Sequence, residues 1–264
     1  MIEDIVILGS GNVAWHLTES LVFSGYHVTQ VYGRNTSDES YFSHLDIGEY
    51  ISDISEVSPD ADLYIICVND DAILEVANNL PFQLDAGQIL IHTSGTVASS
   101  VLNKYAANYG CLWPLQTLKR ESPVVTNEIP FVITASKEYV KLSLIELADQ
   151  ICENFTIMDD DQKEKLHLAA VAVNNFSNHL YTLTKDYCLA EDVPFDLLVP
   201  LIRETAEKLN SDIPENNQTG PAIRNDTATI ERHLKKLEKY PDFYKLYCIF
   251  SEGIIKKYNK HEDN

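Results

Sequence analysis

The chain has 264 residues, 45% of them hydrophobic and 9% aromatic, ordinary values for a folded protein that can bury one large core or two modest ones. A formal charge of −20 and an isoelectric point near 4.6 exclude a general basic surface for nucleic acid or anionic membrane, although an anionic small molecule needs only a local site. No apolar run approaches the length of a membrane span, and the acidic start Met1-Ile2-Glu3-Asp4 is unlike an export signal. The five cysteines (Cys67, Cys111, Cys152, Cys188 and Cys248) are scattered among apolar neighbours without a Cys-x-x-Cys pair. That pattern predicts reduced thiols, no metal site and a cytoplasmic protein.

In chain order, residues 5–8 (IVIL) form a continuous apolar run, the mark of a parallel strand buried on both faces. A glycine turn follows, then a helical pattern with Val13, Leu17 and Leu21 on one face and Gly25 as its stop. Further strands are expected at residues 28–32, 63–68, 89–91, 111–113, 131–133 and 155–157. This β-α alternation predicts an α/β fold with a doubly wound, mostly parallel Rossmann sheet. After Met158 the character changes. Asp159-Asp160-Asp161-Gln162 offers an acidic, capped helix start, and a helical pattern runs on to about residue 190. Helical segments at 195–210, 227–239 and 243–258 follow without a strand signal, and residues 259–264 read as a frayed end. The expected division is a dinucleotide-binding domain over 1–157 and an all-helical domain over 158–264, serving substrate binding and dimerisation.

Gly9-Ser10-Gly11-Asn12-Val13-Ala14 is a G-x-G-x-x-A pattern between a strand and a helix. Gly9 permits the tight turn, Gly11 admits a pyrophosphate to backbone N–H groups, and Ala14 keeps the helix against the sheet. The bland alternatives are a structural turn, or a loop holding S-adenosylmethionine. The end of the second strand distinguishes cofactors, because an NAD site carries Asp or Glu there for the ribose hydroxyls. Here the order is Gly33-Arg34-Asn35-Thr36-Ser37, and Arg34 is the only Lys or Arg before Lys104. Arg34, with Asn35, Thr36 and Ser37 as neutral donors, suits a 2′-phosphate, so NADP is the expected cofactor. Asn69 and Asp70, after the strand at 63–68, and Ser94, after the strand at 89–91, lie where loops pass a cofactor; His92 there could donate to substrate or nicotinamide. Turns whose polar groups satisfy local backbone explain these residues equally well.

Residues 166–183, LHLAAVAVNNFSNHLYTL, are apolar around most of a helical circumference, which predicts a buried helix. His167, Asn174 and Asn178 share one face of an α-helical wheel, with Asn175 and His179 beside them. Such groups either pair with one another in the interior or line a cleft facing nicotinamide and substrate. On the second reading Asn175 anchors substrate, His179 donates a proton, and Asn178 lies beside them. Farther on, Gly220-Pro221 breaks the chain and Asp226 or Thr227 can cap the next helix. Arg224 there could hold a substrate carboxylate or simply pair with Asp226.

Together, GSGNVAWHL, ADLYIICVNDDAI, ILIHTSGT, GCLWPLQTL, HLAAVAVNNFSNHLY and TGPAIRNDTATIERHL resemble a bacterial family of Rossmann-like NADP oxidoreductase-like proteins with a helical C-terminal domain of uncharacterised function. More remotely, the chain is similar to pyrroline-5-carboxylate reductase, ketopantoate reductase and the β-hydroxyacid dehydrogenases. The resemblance implies NADP binding between domains and a homodimer built through the helical domain. Two departures stand out. β-Hydroxyacid dehydrogenases carry a lysine one helical turn before an asparagine in the corresponding helix; with Asn175 as that asparagine, the lysine position is Val171. Relatives often have His-Pro where this chain has Trp113-Pro114. The expected function is hydride transfer to or from a small C=O or C=N substrate, an anionic one included, in the interdomain cleft. The competing expectation is a non-catalytic NADP(H)-binding sensor or partner protein.

Overall fold

The alternating apolar runs become strands of one sheet in a computed structural model of the chain, which describes residues 2–122, 124 and 126–258. The expected frayed end at 259–264 lies outside the described residues. Strands β1 (Asp4–Leu8), β2 (His27–Tyr32), β3 (Glu49–Ile51), β4 (Leu63–Ile66), β5 (Ile89–His92), β6 (Tyr109–Pro114), β7 (Phe131–Ala135) and β8 (Phe155–Ile157) form an eight-stranded sheet in the order β3-β2-β1-β4-β5-β6-β7-β8. All neighbours are parallel except β6 and β7, which run antiparallel. Why the central strands are apolar without alternation is plain from their two faces. In β1, Ile5 and Ile7 join one core cluster while Val6 and Leu8 join the other; Leu63 and Ile65 of β4 likewise oppose Tyr64 and Ile66. Each fully buried aliphatic side chain contributes about 1.5–3 kcal/mol to that packing.

Helix α1 (Asn12–Phe23) follows the glycine turn and buries Ala14, Leu17 and Leu21 against the sheet. It stops at Ser24 and Gly25, where Tyr26 N–H returns to the Leu21 carbonyl at 3.0 Å. Short helices α2 (Glu39–Phe42) and α3 (Ile73–Asn78) and the longer α4 (Glu138–Ile151) complete the layers.

The chain divides into two compact units, Met1–Ala170 and Val171–Asn264. Helix α5 (Asp160–Ala170) closes the first. Its register does not continue unchanged: residues Val171–Phe176 are π-helical before α6 (Ser177–Ala190) resumes. A π turn accommodates one residue more than an α turn, so an α-helical wheel does not describe the side-chain phase within Val171–Phe176. Burial also differs from expectation, since Leu168, Val173 and Phe176 are 73%, 75% and 65% exposed. The chain's own packing leaves these apolar side chains uncovered, because an all-round apolar helix has more surface to bury than its neighbours here cover.

The second unit continues with α7 (Val199–Glu207), α8 (Thr227–Leu237) and α9 (Pro241–Tyr258), with no strand among its described residues. Leu180, Phe195, Leu201, Phe243, Tyr247 and Ile254 line an apolar cavity of about 380 Å³ within it. Among the described residues no helix is long and apolar enough to cross a membrane. All five cysteines are free thiols, and all but Cys248 are buried.

Candidate functional site

A concavity of about 460 Å³ in the first unit lies at the carboxyl ends of β1, β2, β4 and β5. Its floor is the glycine turn. Gly9 has φ +138°, and a Cβ there would stand 2.3 Å from the Cys67 carbonyl oxygen, so this position tolerates no side chain. Gly11 is different. Its φ is −75° and an added Cβ would meet nothing within 4 Å. The fold itself does not require glycine at that point; the space it leaves opens on the cavity that Gly11 lines. Gly11 is also the N-cap of α1, no side chain caps the helix start, and no acidic residue occupies its first turn. The N–H groups and dipole of that turn are thus arranged for an anion.

Arg34 lines the cavity wall beside Tyr32, Gly33 and Asn35 at the end of β2. It is exposed and makes no hydrogen bond or ion pair among the described residues. An unpaired cation in so acidic a chain favours an anionic ligand. Around it the loop is braced: Tyr50 donates to the Asn35 carbonyl at 2.7 Å, and Ser10 Oγ donates to Asp38 at 2.7 Å. Thr36 is exposed at the start of a 3-10 turn and does not line the cavity. Asn69 and Thr93 do line it, as do Glu75 and Asn79 of the α3 region. Cys67 also reaches the wall, but burial pushes its thiol up to about 12, so it stays protonated.

A strap after β6 crosses the glycine turn. Leu118 enters the cavity, and Arg120 Nη1 donates to the Ser10 carbonyl at 3.1 Å. The Arg120 guanidinium sits 3.7 Å from the centre of the Tyr41 ring. The sequence alone gives the strap no role, because its contacts at Ser10 and Tyr41 lie far away along the chain.

Behind the cavity, the loop after β5 is held by a buried cluster. His92 is fully buried, its Nδ1 accepting the Ser94 N–H at 3.1 Å. Burial, helped by the nearby Lys163 charge, pushes its pKa down to about 4, so the ring is neutral near pH 7. Ser94 is buried as well, its Oγ accepting the Val97 N–H at 3.0 Å; neither residue lines the cavity. Lys163 of α5 is fully buried and donates to the carbonyls of Val97 at 2.5 Å and Ser94 at 3.3 Å, with Asp160 Oδ1 also at 3.3 Å. Burial works against ionisation of Asp160, but the Ser99 N–H and hydroxyl and the Lys163 charge outweigh it and hold the carboxyl below its usual range. Nothing in the string DDQKEK marks Lys163, rather than the exposed Lys165, as internal; only the fold does.

Asn175, Asn178 and His179 belong to the second unit and are exposed. Arg224 is exposed there too, with no ion pair to Asp226. Asp226 is the N-cap of α8, accepting the Thr229 N–H at 3.0 Å.

A mostly parallel sheet whose carboxyl edge presents a glycine turn, an uncapped helix start and a free arginine defines a Rossmann-type nucleotide-binding protein. Residues 4–96 match the family described as NADP oxidoreductase, coenzyme F420-dependent, and residues 129–254 match a domain of unknown function. Across 97% of this chain and 98% of the other, the sequence is 34% identical (TM-score 0.88) to a Bacteroides fragilis protein described as a "putative NADP oxidoreductase". The chain belongs to this family of NADP oxidoreductases, in which the Rossmann domain is followed by that domain of unknown function. The fold is shared more widely. An imine reductase from Myxococcus stipitatus in complex with NADP+ is 13% identical over 97% of this chain and 100% of its own, with a TM-score of 0.70. A pyrroline-5-carboxylate reductase from Coxiella burnetii is 14% identical over 98% of each chain, with a TM-score of 0.62. No curated protein matches the chain.

Proposed function

We propose that the chain is an NADP(H)-dependent oxidoreductase that exchanges a hydride with a small C=O or C=N substrate. The observation that carries this reading is the cavity in which an open Gly11, the uncapped start of α1 and the unpaired Arg34 converge. These groups fit a dinucleotide phosphate. Backbone N–H groups from Gly9 to Val13, with Ser10 and Asn12, hold the pyrophosphate; Arg34, with Asn35, holds the 2′-phosphate. Asn69 and Ser94 position the loops toward the nicotinamide. When bound, the nicotinamide supplies or accepts the hydride.

On the substrate side we assign Asn175 to anchoring, His179 to proton transfer, and Asn178 and Arg224 to holding a polar or anionic substrate. His92, neutral at working pH, serves as a hydrogen-bonding group rather than a charge. In this reading residues 1–157 bind cofactor and 158–264 serve substrate and pairing with a second copy. The uncovered apolar side chains Leu168, Val173 and Phe176 support the pairing. The free buried thiols suit a reducing compartment such as the cytoplasm.

Val171 and Trp113, standing where relatives carry a lysine and a histidine, favour a second reading: a protein that binds NADP(H) without turnover. Calorimetric titration with NADPH, NADH and S-adenosylmethionine tests the shared part. A clear preference for NADPH is expected, whereas no heat from any of the three refutes both readings. Loss of reduced-cofactor absorbance with panels of ketones and imines then separates enzyme from binder.

A further inference from the structure

We propose that Glu75 and Asn79 read the hydrogen-bonding edge of the adenine base, so that the cavity selects a 6-aminopurine nucleotide over a 6-oxopurine one. The proposal rests on the cofactor reading above and deepens it. In the dinucleotide, the base and the 2′-phosphate are attached to the same ribose. With the pyrophosphate on the glycine turn and the 2′-phosphate at Arg34, the base falls in the part of the cavity next to Arg34. Besides Arg34 and Asn35, the cavity lining includes Ile54, Val68, Ala72 and Val76, apolar surfaces for the faces of a ring, together with Glu75 and Asn79.

Those two polar residues stand one helical turn apart, on α3 and at its C-cap, and the Asn79 N–H returns to the Glu75 carbonyl at 3.1 Å. Neither side chain has a hydrogen bond or ion pair among the described residues. Both are exposed, as are Leu74 and Asn78 beside them, but Glu75 and Asn79 line the cavity and the other two do not. A carboxylate in a cavity for a polyanion weakens binding unless it accepts a hydrogen bond. Adenine supplies that donor in its exocyclic amine. Glu75, acceptor only, takes one amine hydrogen, while the Asn79 carboxamide accepts the other and donates to a ring nitrogen. Hypoxanthine turns an acceptor oxygen toward the same carboxylate.

The test is calorimetric titration of the full-length protein with NADPH and with its hypoxanthine analogue, reduced nicotinamide hypoxanthine dinucleotide phosphate. The unmodified protein is expected to bind NADPH about tenfold or more tightly than the analogue, the range of a single well-placed base contact. Glu75→Gln can donate to the 6-oxo group and is expected to bind the analogue more tightly than the unmodified protein does, a gain that misfolding cannot imitate. Asn79→Ala is expected to weaken NADPH more than the analogue. Affinities within twofold of each other in the unmodified protein, or an unchanged ratio in both variants, overturn the proposal while leaving the cofactor reading intact. No binding of NADPH at all overturns both.

Discussion

Alanine at Gly9 and alanine at Gly11, two residues apart, should fail for opposite reasons. At Gly9 the backbone has φ +138° and the new Cβ would lie 2.3 Å from the Cys67 carbonyl oxygen. Backbone strain of about 1–3 kcal/mol adds to overpacking of similar size, and the obstacle is a main-chain atom just past the end of β4 that cannot rotate away. A loss of about 4 kcal/mol is expected, lowering the melting temperature by about 8–16 °C at about 2–4 °C per kcal/mol. At Gly11, φ is −75° and nothing lies within 4 Å of the added methyl. Reduced freedom of the unfolded chain contributes about 0.4–1 kcal/mol. The poorer N-cap offsets this by about as much, so stability stays nearly level. Binding does not, because the methyl fills the approach to the helix N–H groups; two lost charge-assisted bonds amount to about 3 kcal/mol, or about a hundredfold in NADPH affinity. Differential scanning calorimetry and NADPH titration on both variants provide the readouts. A Gly11→Ala protein that melts normally and binds NADPH unchanged refutes the placement of the phosphates.

Arg34→Ala should weaken NADPH about tenfold or more while barely changing NADH; equal losses in paired titrations would argue against a 2′-phosphate contact. Lys163→Met removes the donor shared by Val97, Ser94 and Asp160 and should cost about 3 kcal/mol in urea unfolding, with a loss below about 1 kcal/mol contradicting its role as an internal anchor. His92 carries a pH signature. Its folded pKa of about 4 lies below the unfolded value near 6.5, so between them the unfolded chain takes up a proton that the folded one refuses. Stability from this group is fully present above about pH 6.5 and falls toward pH 4, by on the order of 3 kcal/mol. Asp160 and Asp70 oppose that shift and Lys163 supports it. His92→Asn keeps an acceptor for the Ser94 N–H and should flatten the urea midpoint's dependence over that interval; a slope equal to that of the unmodified protein speaks against the assignment.

What could be read from the residues follows a physical line. Strands buried on both faces announce themselves as unbroken apolar runs, and β1, β4 and β5 were legible for that reason. β3 was not expected: Glu49–Ile51 is three residues long and only Ile51 is buried, so it has no apolar run, and its pairing with β2 supplies the structure. The hydrophobic content of β7 foretold a strand but not its reversed direction, which depends on partner and register. The glycine turn and Arg34 were legible because their chemistry sits in consecutive residues beside a strand end. Glu75, Asn79 and Leu118 were not, since each reaches the cavity from an element whose phase is set by packing. For residues 166–183 the apolar character predicted a buried helix, whereas Leu168, Val173 and Phe176 are exposed, because composition does not say what neighbours pack on it. The π-helical stretch was concealed because an ordinary α-helical step already groups the polar residues there on one face.

That stretch bears on how the chain is lined up with distant relatives. Counting back four residues from Asn175 selects Val171, but four is the step of an α-helix. Within Val171–Phe176 the hydrogen-bonded step is five, and five residues before Asn175 stands Ala170. Either count reaches an aliphatic side chain without an amine, so the missing lysine does not arise from a slipped alignment. Neither Ala170 nor Val171 can stand in for the lysine that those relatives carry.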